Sequence, residues 1–345
     1  MSQHQFILRE QAQLPLFVGV DLGGTSIKVG VVDDLGRPLS WLNLQTDAER
    51  GPDDGARRMG AAVKQAIDQA RAKTTDVARV GLGSPGTMDI PAGLLLDPPN
   101  LPGWTDFPIR DRLQKYCELP VSFENDANAA AYGEFWVGSG RTLRSMVMFT
   151  LGTGIGCGIV VDDFVLRGEH SHGAECGHII IDHRDDAPAC SCGQRGHLEA
   201  FCSAKAVVRR MQEALATGRA STLSVEMAAG EPLTPLMLAR EAEAGDALSQ
   251  ELVLQTARYL AVGVVNLMHT IDPNGVVLGG AMTFGGHDTK LGRQFLDTVR
   301  DEVKRRAFPV LAERTIIDFA SLGSDAGFIG AAGVARQEHA RNSQG

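Results

Sequence analysis

Residues 17–34 read FVGVDLGGTSIKVGVVDD. Two runs rich in Val and Ile flank Gly23-Gly24, residues able to take positive φ at a bend, so the stretch predicts a glycine-tipped β-hairpin. Residues 146–163, MVMFTLGTGIGCGIVVDD, predict a second one. Laid over the first, Gly152 falls on Gly24, Thr153 on Thr25, Ile155 on Ile27, Gly158 on Gly30 and Val160 on Val32. The period is too long for a solenoid. It predicts two related lobes, each opening on such a hairpin.

Outward from the hairpins, Met59, Ala62, Val63, Ile67 and Ala70 stand at helical spacing and predict a helix over 55–72, with a strand at VARVGLGSPG (77–86) after it. Residues 91–108, rich in Pro and Gly, read as a loop. VSFENDANAAAYGEFW (121–136) reads as a strand running into an Ala-rich helix. Further helices are expected near 203–217, 234–242 and 246–269, the last stopped at Asp272-Pro273 because proline cannot continue a helix. VVLGGAM (276–282) follows as a buried strand and turn, and SDAGFIGAAGVARQEHA (324–340) as a helix of small residues. This alternation predicts an α/β architecture. Residues 1–122 with a C-terminal helix, 323–345, would form the small lobe, and 123–322 the large one.

Composition narrows the partners. The 345 residues, 43% of them hydrophobic, suffice for two cores. A net charge of -9 argues against a general nucleic-acid binder. No run approaches the roughly 18 to 20 apolar residues of a membrane helix, and the N-terminus lacks the basic start and apolar stretch of a signal peptide. A cytoplasmic protein without membrane or nucleic-acid partners is expected. Six cysteines are too sparse for a disulfide framework; Cys117, Cys157 and Cys202 read as buried thiols.

Three glycine turns follow apolar strands: Asp21-Leu22-Gly23-Gly24-Thr25, Leu151-Gly152-Thr153-Gly154 and Leu278-Gly279-Gly280-Ala281. Backbone N–H groups at such turns can cradle phosphates, and a carboxylate like Asp21 can hold Mg²⁺ directly or through water. Alone, each is a glycine turn and no more. In order, facing one another across a cleft between lobes, two would grip phosphates and the third would admit an adenosine. The Walker pattern is absent from the sequence. Glu124-Asn125-Asp126-Ala127-Asn128 sits where a strand becomes a helix, and Asp126 is the candidate general base for attack of a hydroxyl on a phosphoryl group. Helix capping is the competing role, but three consecutive polar residues exceed one cap's needs.

These stretches, with Gly173–His178 and Cys190–Glu199, resemble the ROK sugar kinases and repressors, which belong to the two-lobed actin/hexokinase-like (ribonuclease H-like) ATPase fold. The resemblance implies that Asp126 is the catalytic base. It implies ATP phosphates around Gly23, Gly24, Gly152 and Gly154, with Asp21, Thr25, Lys28 and Thr153 near them and Mg²⁺ as cofactor. The nucleoside would lie by Gly280 and Ala281. Sugar hydroxyls would be held by Asn100, Asn125, Asp126, Glu175, His178 and Glu199. A homodimer is implied as well. Gly173-Ala174-Glu175-x-Gly-His resembles the glucokinase version of its motif, which puts glucose first; N-acetylmannosamine and N-acetylglucosamine kinases share Glu-x-Gly-His and stay open as alternatives. Polyphosphate-using relatives generally lack the cysteine segment, which favours ATP. The family's regulators carry a helix-turn-helix domain ahead of the first hairpin, whereas residues 1–15 show no two-helix pattern. Intact Asp21, Asp126 and glycine turns oppose a catalytically dead sugar binder.

Zinc-bearing members of the family carry Cys-x-Cys-Gly-x-x-Gly-Cys-x-Glu plus the His of Glu-x-Gly-His. Here Cys190, Cys192, Gly193, Gly196 and Glu199 match, but His197 stands at the third cysteine's place. His178, Cys190, Cys192 and His197 would still make four ligands, a closed structural Zn²⁺ site less negative by one charge. His170, His172 and His183 are spare imidazoles, any of which could replace His197. His178 could bind metal through one ring nitrogen and a sugar hydroxyl through the other.

Overall fold

The computed structural model describes residues 6–343. Strands β1 (Leu16–Leu22), β2 (Ser26–Val32) and β3 (Pro38–Gln45) lead into helix α1 (Pro52–Gln69). Then come β4 (Val77–Ser84), β5 (Thr87–Asp89), β6 (Leu94–Asp97), α2 (Ile109–Cys117), β7 (Val121–Asn125) and α3 (Asp126–Trp136). A second run holds β8 (Ser145–Leu151), β9 (Ile155–Val161), β10 (Phe164–Val165), α4 (Glu199–Cys202), α5 (Ala204–Ala216), α6 (Ser224–Ala228), α7 (Pro235–Ala244) and α8 (Ala247–Ile271). β11 (Gly275–Gly279), α9 (Lys290–Arg306), α10 (Pro309–Arg314), β12 (Ile316–Phe319) and α11 (Ala326–Asn342) complete the order. Among the described residues no helix is long and apolar enough to cross a membrane.

The strands form two five-stranded sheets, ordered β3-β2-β1-β4-β7 and β10-β9-β8-β11-β12, and the pair β5-β6. Two compact units result. The first takes the chain up to Thr142, Gly158–Ala174 and the chain from Ser321 on; the second takes Leu143–Cys157 and Glu175–Ala320, so the division falls inside β9.

In the first unit β1 and β2 form the expected hairpin, continued antiparallel by β3, while β4 and β7 add parallel to β1. β1 is buried along nearly its whole length, as a strand covered on both faces must be. α1 buries Ala56, Met59, Val63 and Ile67 with the sheet's Val18, Val20 and Val29. α11 lies so close to the sheet's backbone that a Cβ on Gly19 would fall 1.7 Å from the Phe328 carbonyl oxygen, and one on Gly81 1.8 Å from that of Ala331. Glycine is what lets that helix seat. The sequence places the lobe boundary at 122/123; in the structure β7 and α3 lie in the first unit, because β7 pairs with β4 and α3 packs on α11.

In the second unit β8, β11 and β12 run parallel. Asp246 caps α8, accepting from the Ser249 N–H at 2.8 Å, and the helix ends at Asp272 in a left-handed conformation (φ 51°) just before Pro273, as the sequence predicts. α5, α7 and α8 lie where helices are expected, and α1 starts three residues early on Pro52, a residue suited to a helix's first turn. Part of the expected loop 91–108 is instead strand. Leu94–Asp97 pairs with β5, and it buries Leu95 between two less buried leucines.

Candidate active site and metal centre

The β1–β2 turn of the first unit closes through the Gly23 N–H donating to the Ser26 carbonyl at 2.9 Å. Thr46, at the end of β3, braces it twice: its hydroxyl donates to the Gly23 carbonyl (2.6 Å) and its N–H to that of Thr25 (2.9 Å). Neither Gly23 nor Gly24 has the positive φ that the sequence suggests. Gly24 answers a different demand: a Cβ there would lie 2.9 Å from the Asn100 carbonyl oxygen and 3.0 Å from its Cβ. Close approach, not backbone handedness, selects glycine, and it sets Asn100 against the turn.

Asp21 faces Lys28 across the hairpin, carboxylate to ammonium at 3.6 Å. Lys28 also donates to the Ser324 carbonyl at 2.9 Å. Burial raises the Asp21 carboxyl above its ordinary value, and Lys28 offsets only part of that. A Cβ on Gly327, in the first turn of α11, would lie 2.4 Å from an Asp21 oxygen. Thr46, Ser324 and Gly327 are support that sequence reasoning missed, since each reaches the hairpin from a distant segment.

At the β7–α3 junction Asn125 is the helix cap: its Oδ1 accepts from the N–H groups of Ala127 (2.9 Å) and Asn128 (3.2 Å). Asp126 follows at the first helical position and accepts from the Ala127 N–H at 2.8 Å. Glu124, fully buried, accepts from the Asn125 N–H (3.0 Å), the Asn128 side-chain amide (3.0 Å) and Arg167 Nε (2.6 Å). The acidic and amide run thus divides its work: Glu124 ties down the junction, Asn125 caps, and Asp126 holds the first helical position.

In the second unit the β8–β9 turn closes through the Gly152 N–H and Gly154 carbonyl (3.0 Å), with Thr153 at its tip. A Cβ on Gly280, at φ 90°, would fall 2.3 Å from the Leu151 carbonyl oxygen, and the Met282 N–H donates to that same oxygen at 3.0 Å. The second and third glycine turns therefore lie side by side in one unit. Beside Ala281 opens a cavity of about 290 Å³, walled by Met282, Phe284 and the α7 residues Leu236, Ala239 and Glu243. Its α7 wall left no mark in the sequence.

Glu199, nearly buried, spans two motifs. One carboxylate oxygen accepts from the Ile155 N–H (3.0 Å) at the start of β9, and the other accepts from the Ser191 hydroxyl and the Cys190 thiol (3.5 Å). Glu175 lies beside His178, whose Nε2 is 4.0 Å from its carboxylate.

The four expected ligands come together. Ligand atoms of His178, Cys190, Cys192 and His197 all lie within 4.8 Å of one another, a group able to hold a metal ion. Cys190 Sγ is 3.6 Å from His178 Nδ1, and Cys192 Sγ 3.3 Å from His197 Nδ1. His170, His172 and His183 are not in the group. A tight turn aims the thiols: the Cys190 N–H donates to the Gln194 carbonyl (2.8 Å), and a Cβ on Gly196, at φ 76°, would fall 1.7 Å from the Asp182 carbonyl oxygen. Burial, with Cys192 and Glu199 close by, pushes the Cys190 thiol up to about 11, and burial, then His178, lowers His197.

Comparison with known proteins adds the kinship. The ROK family profile matches residues 17–338. The glucokinase of Halalkalibacterium halodurans is 32% identical, over 93% of this chain and 95% of its own. The ROK hexokinase of Thermus thermophilus superposes with a TM-score of 0.78 at 34% identity, covering 96% of this chain and all of the other. A ROK glucokinase of Streptomyces griseus, solved with glucose and AMPPNP, gives 0.72 at 32% identity, covering 93% and 99%. The fold is the expected actin/hexokinase-like α/β fold.

Proposed function

Since this chain belongs to the ROK family, we propose that it is a glucokinase, transferring the γ-phosphoryl group of ATP to the 6-hydroxyl of glucose. The observation that carries the reading is the β7–α3 junction, where Asn125 makes the cap and Asp126 stands at the first helical position. The Asp126 carboxylate accepts the 6-hydroxyl proton as that oxygen attacks the γ-phosphorus and ADP departs with the bridging electron pair.

Asn125 spends its carbonyl oxygen on the cap and keeps its amide donors for a sugar hydroxyl. Asn100, beside the first glycine turn, is a second sugar contact. Glu175, His178 Nε2 and Glu199 are further sugar contacts in this reading; Glu199 keeps lone pairs to spare. Backbone N–H groups of the turns at Gly23–Thr25 and Gly152–Gly154, with the Lys28 ammonium, oppose the charge that builds on the phosphates. The nucleoside belongs in the cavity beside Gly280 and Ala281.

Asp21 fits Mg²⁺: a hard oxygen donor whose burial is only partly offset by Lys28. Bound there with the nucleotide, Mg²⁺ would neutralise phosphate charge. The cysteine–histidine group fits Zn²⁺. Tetrahedral Zn–N and Zn–S bonds set ligand atoms roughly 3.3 to 3.8 Å apart; the Cys192–His197 and Cys190–His178 pairs stand at 3.3 and 3.6 Å, and all four ligand atoms lie within 4.8 Å of one another. With four protein ligands such a site is structural. It would hold His178 by Nδ1 and aim Nε2 at the sugar. A cytoplasmic homodimer completes the proposal.

The test is ADP release with ATP, and separately with polyphosphate, over glucose, mannose, fructose, N-acetylglucosamine and N-acetylmannosamine. Turnover should be fastest with ATP and glucose. Faster turnover of an N-acetylhexosamine would move the substrate; no turnover with any sugar would end the reading.

A further inference from the structure

A second cavity, of about 300 Å³, lies wholly within the first unit, and none of the residues assigned above to ATP or sugar lines it. Its floor is Val121, Ser122 and Phe123 of β7, the outermost strand of its sheet, whose far edge pairs with no strand among the described residues. Around it stand Ile90, Arg110, Arg167, Ser171 and Glu338.

Most polar groups there are already committed. Arg110 donates to the carbonyls of Pro91 (2.9 Å) and Ala92 (3.2 Å) and to Asp111 (2.9 Å), so it clasps a turn. Glu338 pairs with Arg79 at 3.2 Å. The Ser171 hydroxyl accepts from the Ile90 N–H at 3.0 Å. Two groups are not committed. Arg167 gives its Nε to the buried Glu124, but among the described residues neither of its terminal nitrogens makes a hydrogen bond. The hydroxyl of Ser122, a residue only 2% exposed, is buried without a hydrogen-bond partner among the described residues. Buried polar groups rarely stay unpaired, and a guanidinium's two terminal nitrogens match two oxygens of one anion.

We propose that this cavity is a second ligand site, taking a small oxyanion, a phosphate or a carboxylate, paired with the terminal nitrogens of Arg167 and accepting from the Ser122 hydroxyl. Its occupant reaches the β7–α3 junction through one residue. Arg167 holds Glu124, and Glu124 holds the Asn125 N–H and the Asn128 amide. An anion that draws charge from Arg167 thereby bears on the segment that carries Asp126.

The test is calorimetric titration of the full chain with inorganic phosphate and, separately, with succinate. Wild type should bind at least one of them, and the tighter probe identifies the ligand class. Ser122→Ala should weaken that binding at least about fivefold, and Arg167→Lys, which keeps the charge opposite Glu124 but not the fork, about tenfold. Both variants should melt with the wild type; if Arg167→Lys does not fold, Ser122→Ala decides alone. The site is refuted if neither probe binds below about 10 mM, or if the folded variants bind as wild type does, which would place the anion elsewhere.

Discussion

His197 faces Cys192 at 3.3 Å and fills the position where a third thiolate is usual in the family. If the proposed zinc site is right, His197→Ala takes away one of four ligands, and bound zinc should fall below one equivalent per chain. His197→Cys restores a ligand and adds a negative charge, and it should release zinc to a chelator about tenfold more slowly; metal analysis and chelator competition measure both. Asp33 makes a prediction about pH. Burial pushes its carboxyl up, but the Arg37 side chain and the N–H groups of Gln13, Arg37 and Leu35 outweigh that and hold it below its ordinary value. A carboxylate so held adds stability that is complete above the unfolded value, about 3.9, and is lost as pH falls through the folded value. Asp33→Asn should therefore cost about 2 kcal/mol at neutral pH, and the two melting curves should converge in acid. At this scale much was legible. His178, Cys190, Cys192 and His197, which the structure brings together, stand out by their spacing, and Asp126 by its place at a strand-to-helix junction. What Glu199 does for Ile155 does not, because that partner comes from a separate segment.

Among the elements, α3 and α11 decide whether the junction holds. Asn125→Ser keeps a capping oxygen and removes the amide donor, so stability should change by less than about 0.5 kcal/mol while sugar KM rises about tenfold. Melting and steady-state kinetics separate the two jobs. Gly81→Ala would drive a methyl into the Ala331 carbonyl. It should destabilise by about 3 kcal/mol or prevent folding, as overpacking does, and urea titration reads it. The sequence predicts α3, α5, α7, α8 and α11 because each carries a long apolar or small-residue face. It predicts no element for α9, which buries Leu291, Phe295, Leu296, Val299 and Val303 on one face. There the charged residues dominate the eye, and buried Glu302 interrupts the apolar stripe while pairing with Arg306 at 2.8 Å.

At the scale of the whole molecule the chain divides into two compact units. Their limits were not legible in a linear reading, because the first unit also recruits Gly158–Ala174 and the chain from Ser321 on. Such joins depend on which strands pair and which helices seat, not on local composition. The zinc reading has a consequence within one unit. Stripping the metal should raise hydrogen exchange over 175–199 and, through Glu199, at Ile155, while β1, β4 and β7 keep their protection; uniform loss would contradict a local clamp. The central claim, that Asp126 is the base of an ATP-dependent hexose kinase, is tested most directly by Asp126→Asn with glucose and ATP. The expected result is a kcat lower by roughly 10² to 10⁴ with glucose affinity within about threefold of wild type. Turnover near the wild-type rate would contradict it.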